Sequence, residues 1–189
     1  MFSDEIKFNA ADLSASGDLI TAVAATKLRV LSYSLSSDVP CSVQFQSNAT
    51  DNISGQFYLT GDQSISQSSD LGLFETDQGD KLNLVITEDV LPVRLVDDTA
   101  DSLTIESHGL SFRDAVKVSA TTTLPGGLTA GTIYFVVADT ADTIKLATSK
   151  ANASLDPPSV IDITDAGVGA VTVSRAANVG VTLSYRQVA

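Results

Sequence analysis

A strict two-residue alternation in short runs constrains this chain most. In "CSVQFQS", Cys41, Val43 and Phe45 alternate with Ser42, Gln44 and Gln46. "KLNLVIT" sets Leu82, Leu84 and Ile86 on one side. "VGVTLSYRQV" sets Val181, Leu183 and Tyr185 against Thr182, Ser184 and Arg186. A period of two is that of a strand buried on one face, so each run predicts a strand with a core side and a solvent side. "KLRVLSYSLS" is the strongest of them, and "EIKFNA", "LITAV", "ISGQFYLT" and "LGLFET" are shorter ones. Gly, Pro, Asn, Asp and Ser fill the breaks, as turns require. "AADLSASGDLITAVAA" is rich in alanine, but Gly17 and its Ser and Asp residues interrupt it, so it reads as a loop and a strand. Ser and Thr make up about a fifth of the chain, and hydrophobic residues make up 43%. The expectation is an all-β fold with a packed core, jelly-roll-like or a β-sandwich.

The texture changes near Leu91. "LPVRLVDDTAD" reads as a turn-rich stretch, and six further strand candidates follow: "SLTIES", "DAVKVSAT", "TIYFVVADT", "TIKLATS", "VIDIT" and "AVTVS". They suffice for a small sheet system of their own. With this block removed, "KLNLVITEDV" runs directly into "NVGVTLSYRQV", and the two match in length and alternation. Consecutive antiparallel strands usually pair. The chain therefore reads as a host domain, residues 1–91 plus 177–189, with a second small β-domain, residues 92–176, inserted in a hairpin near the C-terminus. Loop tips tolerate such insertions. The host carries 5 basic and 13 acidic residues and the insert 6 and 10, so each part is acidic by itself.

Chemistry-bearing motifs are sparse. The net charge of −12 opposes binding to nucleic acid or to an anionic membrane. No run approaches the length of a membrane span. The opening "MFSDEIKF" has acids early and no long apolar run, so it is not read as a secretory signal. The sequons at Asn48, Asn52 and Asn152 then read as products of a Ser/Thr-rich composition. Cys41 is the only cysteine and falls on an apolar strand face, as a small buried hydrophobe would. His108, the only histidine, stands before Gly109 and reads as a turn residue capping local backbone. Asp97, Asp98 and Asp101 lack the order of a calcium loop and read as a solvated turn. No nucleophile elbow, phosphate loop or zinc-ligand set is present, and a chain without Trp lacks the usual aromatic platform of a glycosidase. These features predict a protein that is not an enzyme and uses no cofactor or metal.

Two stretches carry a resemblance. "LRVLSYSLS", the "V-x-F-x-S" strand, and Phe74, Glu75, Thr76, Gly79, Leu82, Asn83 and Leu84 are similar to a small β-domain of tailed-phage virion proteins. Here the insertion departs from that pattern. The insert resembles a module that recurs in phage structural proteins, through His108, Gly109, Leu110, Asp114, Val116, Leu124, Pro125, Gly127, Leu128, Gly131, Thr132, Tyr134, Thr140, Thr143 and Leu146. In "LPGGLTAGT", Pro125 fixes φ and Gly126 and Gly127 are expected to supply positive φ.

The resemblance implies a capsid decoration (cement) protein, made in the host cytoplasm and carried on the outer surface of the head. It implies the major capsid protein as partner and a homotrimer as the assembly, with no nucleic acid and no membrane. A tail, baseplate or fibre component is the alternative, and a secreted carbohydrate-binding module is a third reading that the absence of a signal opposes. Phe2, Ile6 and Phe8 are the expected capsid or subunit contacts. Residues 1–11 then read either as an arm that orders on binding or as an ordinary first strand.

Overall fold

The computed structural model describes residues 5–138 and 140–189 and is almost entirely β. In chain order the strands are β1 (Lys7–Leu13), β2 (Gly17–Ile20), β3 (Lys27–Ser37), β4 (Pro40–Ser47), β5 (Asp51–Asn52), β6 (Phe57–Thr60), β7 (Ser64–Ser68), β8 (Phe74–Glu75) and β9 (Leu82–Glu88). Then come β10 (Val90–Pro92), β11 (Leu95–Asp97), β12 (Ser102–Thr104), β13 (Ala115–Ala120), β14 (Ile133–Ala138) and β15 (Thr143–Ala147). One helical turn, α1 (Lys150–Ala153), precedes β16 (Val171–Arg175) and β17 (Val179–Val188). Two compact units form. The first runs up to Glu88 and resumes at Ala177–Ala189; the second is Asp89–Ala176.

The first unit is a sandwich of two antiparallel sheets. Sheet I has the order β1-β17-β3-β7, with β8 also on β3; sheet II has the order β2-β9-β4-β5, with β6 also on β4. Alternation sends Val30, Tyr33, Leu35, Val181 and Leu183 inward from sheet I, and Val43, Phe45, Leu82 and Leu84 inward from sheet II, all buried in one core. Four rings meet there. Tyr33 lies 5.4 Å from Phe45 and 5.3 Å from Phe57, and Phe74 lies 4.8 Å from Phe45. Stacked sheets sit about 10 Å apart, and aromatic rings are the side chains that span such a gap from both sides.

The strand pairing corrects one expectation. β9 pairs with β2 and β4, whereas β17 pairs with β1 and β3, so "KLNLVIT" and "VGVTLSYRQV" lie in different sheets and form no hairpin. The second unit interrupts a crossover between the layers of the sandwich. Alternation fixes which face of a strand is buried, but both layers bury a face alike, so it is silent on which layer a strand joins. The two ends of the interruption still meet, since the Ala177 amide donates to Glu88 Oε1 at 3.2 Å.

The second unit holds one sheet of seven strands in the order β10-β16-β13-β14-β15-β12-β11. Its two outermost strands are consecutive in the chain, with only Val93 and Arg94 between them. The Val93 amide bonds to Val171 O and the Arg94 amide to Thr104 O, so this dipeptide ties one edge to the other. The sheet therefore curls until its edges adjoin, around a core of Leu103, Val116, Val118, Tyr134, Val136, Ile144, Leu146 and Val173.

β10 and β11 occupy the stretch that reads as turns, and β10 moves the boundary of the insert back to Asp89. "VIDIT" forms no strand: Ile161 reaches the ladder through one bond to Leu146 O, and the Ile163 amide donates to Asp101 Oδ1. Gly127 does take a positive φ of +88°, but Gly126 does not. Gly126 is required for space, because a Cβ there would lie 2.1 Å from Thr164 Oγ1.

Two outcomes follow. Replacing Asp89–Ala176 by a short Gly/Ser link leaves a first unit that unfolds in one cooperative transition; loss of cooperativity in a melting curve would show that its core depends on the insert. Phe45→Ala removes the fully buried ring at the centre of the cluster and costs about 3–5 kcal/mol in denaturant titration.

Candidate partner-docking surface

The outer face of sheet I is built from small residues. Register places Phe8, Ser184, Ser32 and Ser68 in one row, Ala10, Thr182, Ser34 and Ser66 in the next, and Asp12, Gly180, Ser36 and Ser64 in a third. The same alternation that buries Val181, Tyr33 and Leu35 creates this face. Its side chains are short enough to leave it low, with a shallow depression of about 440 Å³ over Ala10, Ser34, Ser36, Gly180 and Thr182. Ser32 and Ser184 lock together across the ladder at 2.6 Å between hydroxyls.

One end of the face is basic. A register shift after Ser184 brings Arg186 opposite Arg29, and β8 brings Glu75 to the other side of Arg29. Arg29 Nε donates to Glu75 Oε2 at 3.0 Å and Lys27 Nζ to Glu75 Oε1 at 3.2 Å. One carboxylate thus serves two cations, while Arg186 Nε is covered and has no acceptor among the described residues. Like charges directly opposite on a ladder repel, which leaves this end short of negative charge inside a strongly acidic protein. Gly72 arches over the Arg29 stem at φ +104°; a Cβ there would approach Arg29 Cγ and Cδ to 2.7 Å. A cavity of about 280 Å³ lies between Arg29, Leu71, Phe74 and Glu75, and Leu71 at its rim is 87% exposed. Burial tends to raise the pKa of Glu75, but the hydrogen bonds and charges of Arg29 and Lys27 outweigh it and hold the carboxyl below its ordinary 4.5.

Of the expected contacts, Phe2 lies outside the described residues. Ile6 is 43% exposed just before β1, and Phe8 is 78% exposed on the outer face of β1. Residues from Lys7 onward are an ordinary edge strand, paired from Lys7↔Tyr185 to Leu13↔Val179, with Ala11 and Leu13 packed on the core. An arm over residues 1–11 therefore cannot extend past Ile6. The sequence singles out Phe8 and Ile6 by alternation; it misses Arg29, Arg186 and Lys27, because only the strand pairing brings them together.

The other residues with chemical potential serve the backbone. His108 is buried; its Nδ1 accepts the Leu110 amide at 2.9 Å, so its Nε2 carries the proton given to Thr140 O at 3.1 Å. Asp97 Oδ1 accepts the Thr99 and Ala100 amides in a local turn. Cys41 is buried in the sandwich core.

Because the folded pKa of Glu75 is depressed, its contribution to stability is present above its unfolded value and is lost as pH falls through the folded one. Glu75→Gln should therefore lower the melting temperature at pH 7, and the gap to the parent protein should narrow as the pH falls below the ordinary carboxylate value of 4.5 and through the lower folded one. A gap that stays constant across this range would show that the ion pairs do not set the stability of β8.

No protein-family model matches the chain, and no curated protein matches it. Among solved structures, the comparison reaches a crystal structure of selenomethionine-labelled mavirus penton protein, with 7% identity over 98% of this chain and 100% of that chain. The TM-score is 0.17, which establishes no common fold.

Proposed function

We propose that this protein is a structural component of a tailed-phage virion, and specifically a decoration protein that docks on the outside of the head. The observation that carries the reading is the outer face of sheet I: low, nearly uncharged, basic at one end and flanked by exposed Ile6, Phe8 and Leu71. Interface centres are depleted in charge and enriched in aromatic and Arg anchors. A face of this kind on a chain of net charge −12 suits an adhesive contact with a protein surface that carries carboxylates. The motif resemblances in both units support the same assignment. The partner is the major capsid protein, contacted as a homotrimer, and the stabilisation is mass action: a ligand that binds only the assembled shell favours that shell. On this reading the protein catalyses no reaction, takes no cofactor and binds neither nucleic acid nor membrane.

Phe8→Asp tests the contact. The exposed ring leaves the isolated fold intact, so the variant should keep its melting temperature and fail to co-sediment with particles. Loss of thermal stability instead would make Phe8 a structural residue. Electron microscopy of labelled particles decides the location: copies in the hundreds over the head agree with decoration, whereas a few copies at the tail, baseplate or fibre replace it with that alternative.

A further inference from the structure

The outer face of sheet II differs in chemistry from that of sheet I. Register aligns Asp18, Asn83, Gln46 and Asn52 directly across four strands, β2, β9, β4 and β5. Strands lie about 4.8 Å apart, so the row is about 14 Å long. Gln44 stands next on β4, and beyond it Ser42 faces Tyr58. Charged side chains are the usual means of solvating an open sheet face, yet planar amides dominate here.

These amides are held rather than mobile. Asn83 Nδ2 donates to Asp18 Oδ1 at 2.9 Å, Gln46 Nε2 to Asn52 Oδ1 at 2.8 Å, and Gln44 Nε2 to Ser54 O at 2.9 Å. Gln56 Nε2 donates to Ser42 Oγ at 2.7 Å and Gln56 Oε1 accepts the Tyr58 hydroxyl at 3.2 Å, which props a ring that is 72% exposed. Lys81 Nζ fixes Asp18 at 3.0 Å. The tethers on Asn83, Gln46 and Gln44 use the amide nitrogen and leave the oxygen of the same plane oriented, whereas Gln56 is held through both its nitrogen and its oxygen. Asn83 is 95% withdrawn from solvent, at 5% exposure, although it points to the outer face. Gln46 Oε1, in the middle of the row, is covered and has no donor among the described residues. A buried acceptor left in that state is costly, and a small shift that admits a hydroxyl donor relieves the cost.

We infer that the outer face of sheet II binds a neutral, extended oligosaccharide. An amide presents a donor and an acceptor in one plane, which matches neighbouring sugar hydroxyls that act as both. An exposed, tethered aromatic ring offers an apolar platform for the C–H face of a pyranose. Preorganised side chains lower the ordering cost of binding. The length of the row and the distance on to Tyr58 suit several linked sugars rather than one. Asp18 within the row and the acidity of the whole chain oppose uronic and sialic acids, so the ligand is uncharged. The inference does not rest on virion attachment, which uses the other sheet.

The test is isothermal titration calorimetry of the full-length protein with cellohexaose, chitohexaose, maltohexaose and mannohexaose, and with a polygalacturonate hexamer as the anionic control. Binding of at least one neutral hexasaccharide is expected, with no heat from the anionic one. Tyr58→Ala and Gln44→Ala, both solvent-side changes, should each weaken it by about tenfold with the melting temperature unchanged. Absence of heat with every neutral sugar at millimolar concentration overturns the inference. So does binding that both variants retain, or binding of the anionic sugar alone. None of these results bears on particle attachment, which is read separately through Phe8→Asp.

Discussion

The four-ring contact between Tyr33, Phe57, Phe45 and Phe74 sets the geometry of the first unit. Two rings come from each sheet, with centroids 4.8–6.2 Å apart, and together they fix the separation of the layers. Aliphatic residues from both sheets fill the space around them. β8 is the link from this contact to the surface: it is only two residues long, and Phe74 enters the ring cluster while Glu75 holds Lys27 and Arg29 on the outside. The electrostatics of the docking surface thus depend on a core contact one residue away. A change that loosens the rings also loosens the carboxylate.

The second unit solves the problem of exposed sheet edges differently. A sandwich keeps its edges open, as β1 is in sheet I, and blunts them with residues such as Lys7 and Asp12. The inserted sheet instead brings its two edge strands together, because only Val93 and Arg94 separate β10 from β11 and their amides bond to Val171 O and Thr104 O. That arrangement explains how a stretch rich in acids and containing Pro92 becomes structural: each strand there is only three residues long and has a single ladder partner, β16 for β10 and β12 for β11.

Much of this was legible in the sequence. The faces of β3, β4, β9 and β17 follow from alternation, because burial on one side leaves a period-two record in each strand. The buried place of Cys41 and the backbone-capping role of His108 follow from their neighbours; the burial of His108 does not. The pairing of β9 with β17 did not follow, because equal length and equal alternation are shared by strands in opposite layers. β7, "SISQS", shows no apolar alternation, since its outward positions are all serine and only Ile65 and the Gln67 partner of Tyr33 face inward. The candidate surfaces were legible only in part. Phe8 stands out in one dimension; the Arg29–Arg186 juxtaposition and the Asp18–Asn83–Gln46–Asn52 row exist only once the register is known.

β1 and β17 run antiparallel side by side, with Lys7 opposite Tyr185, so β1 begins at the same end of the sheet at which β17 finishes three residues later. A pull applied between those two ends loads the ladder as a zipper rather than in shear. Hydrogen bonds then break one pair at a time from Lys7 toward Leu13, each bearing the whole force alone. The first strand peels away before tension reaches the ring cluster, and the inserted unit, attached at Glu88 and Ala177, carries none of the load until β17 itself gives way.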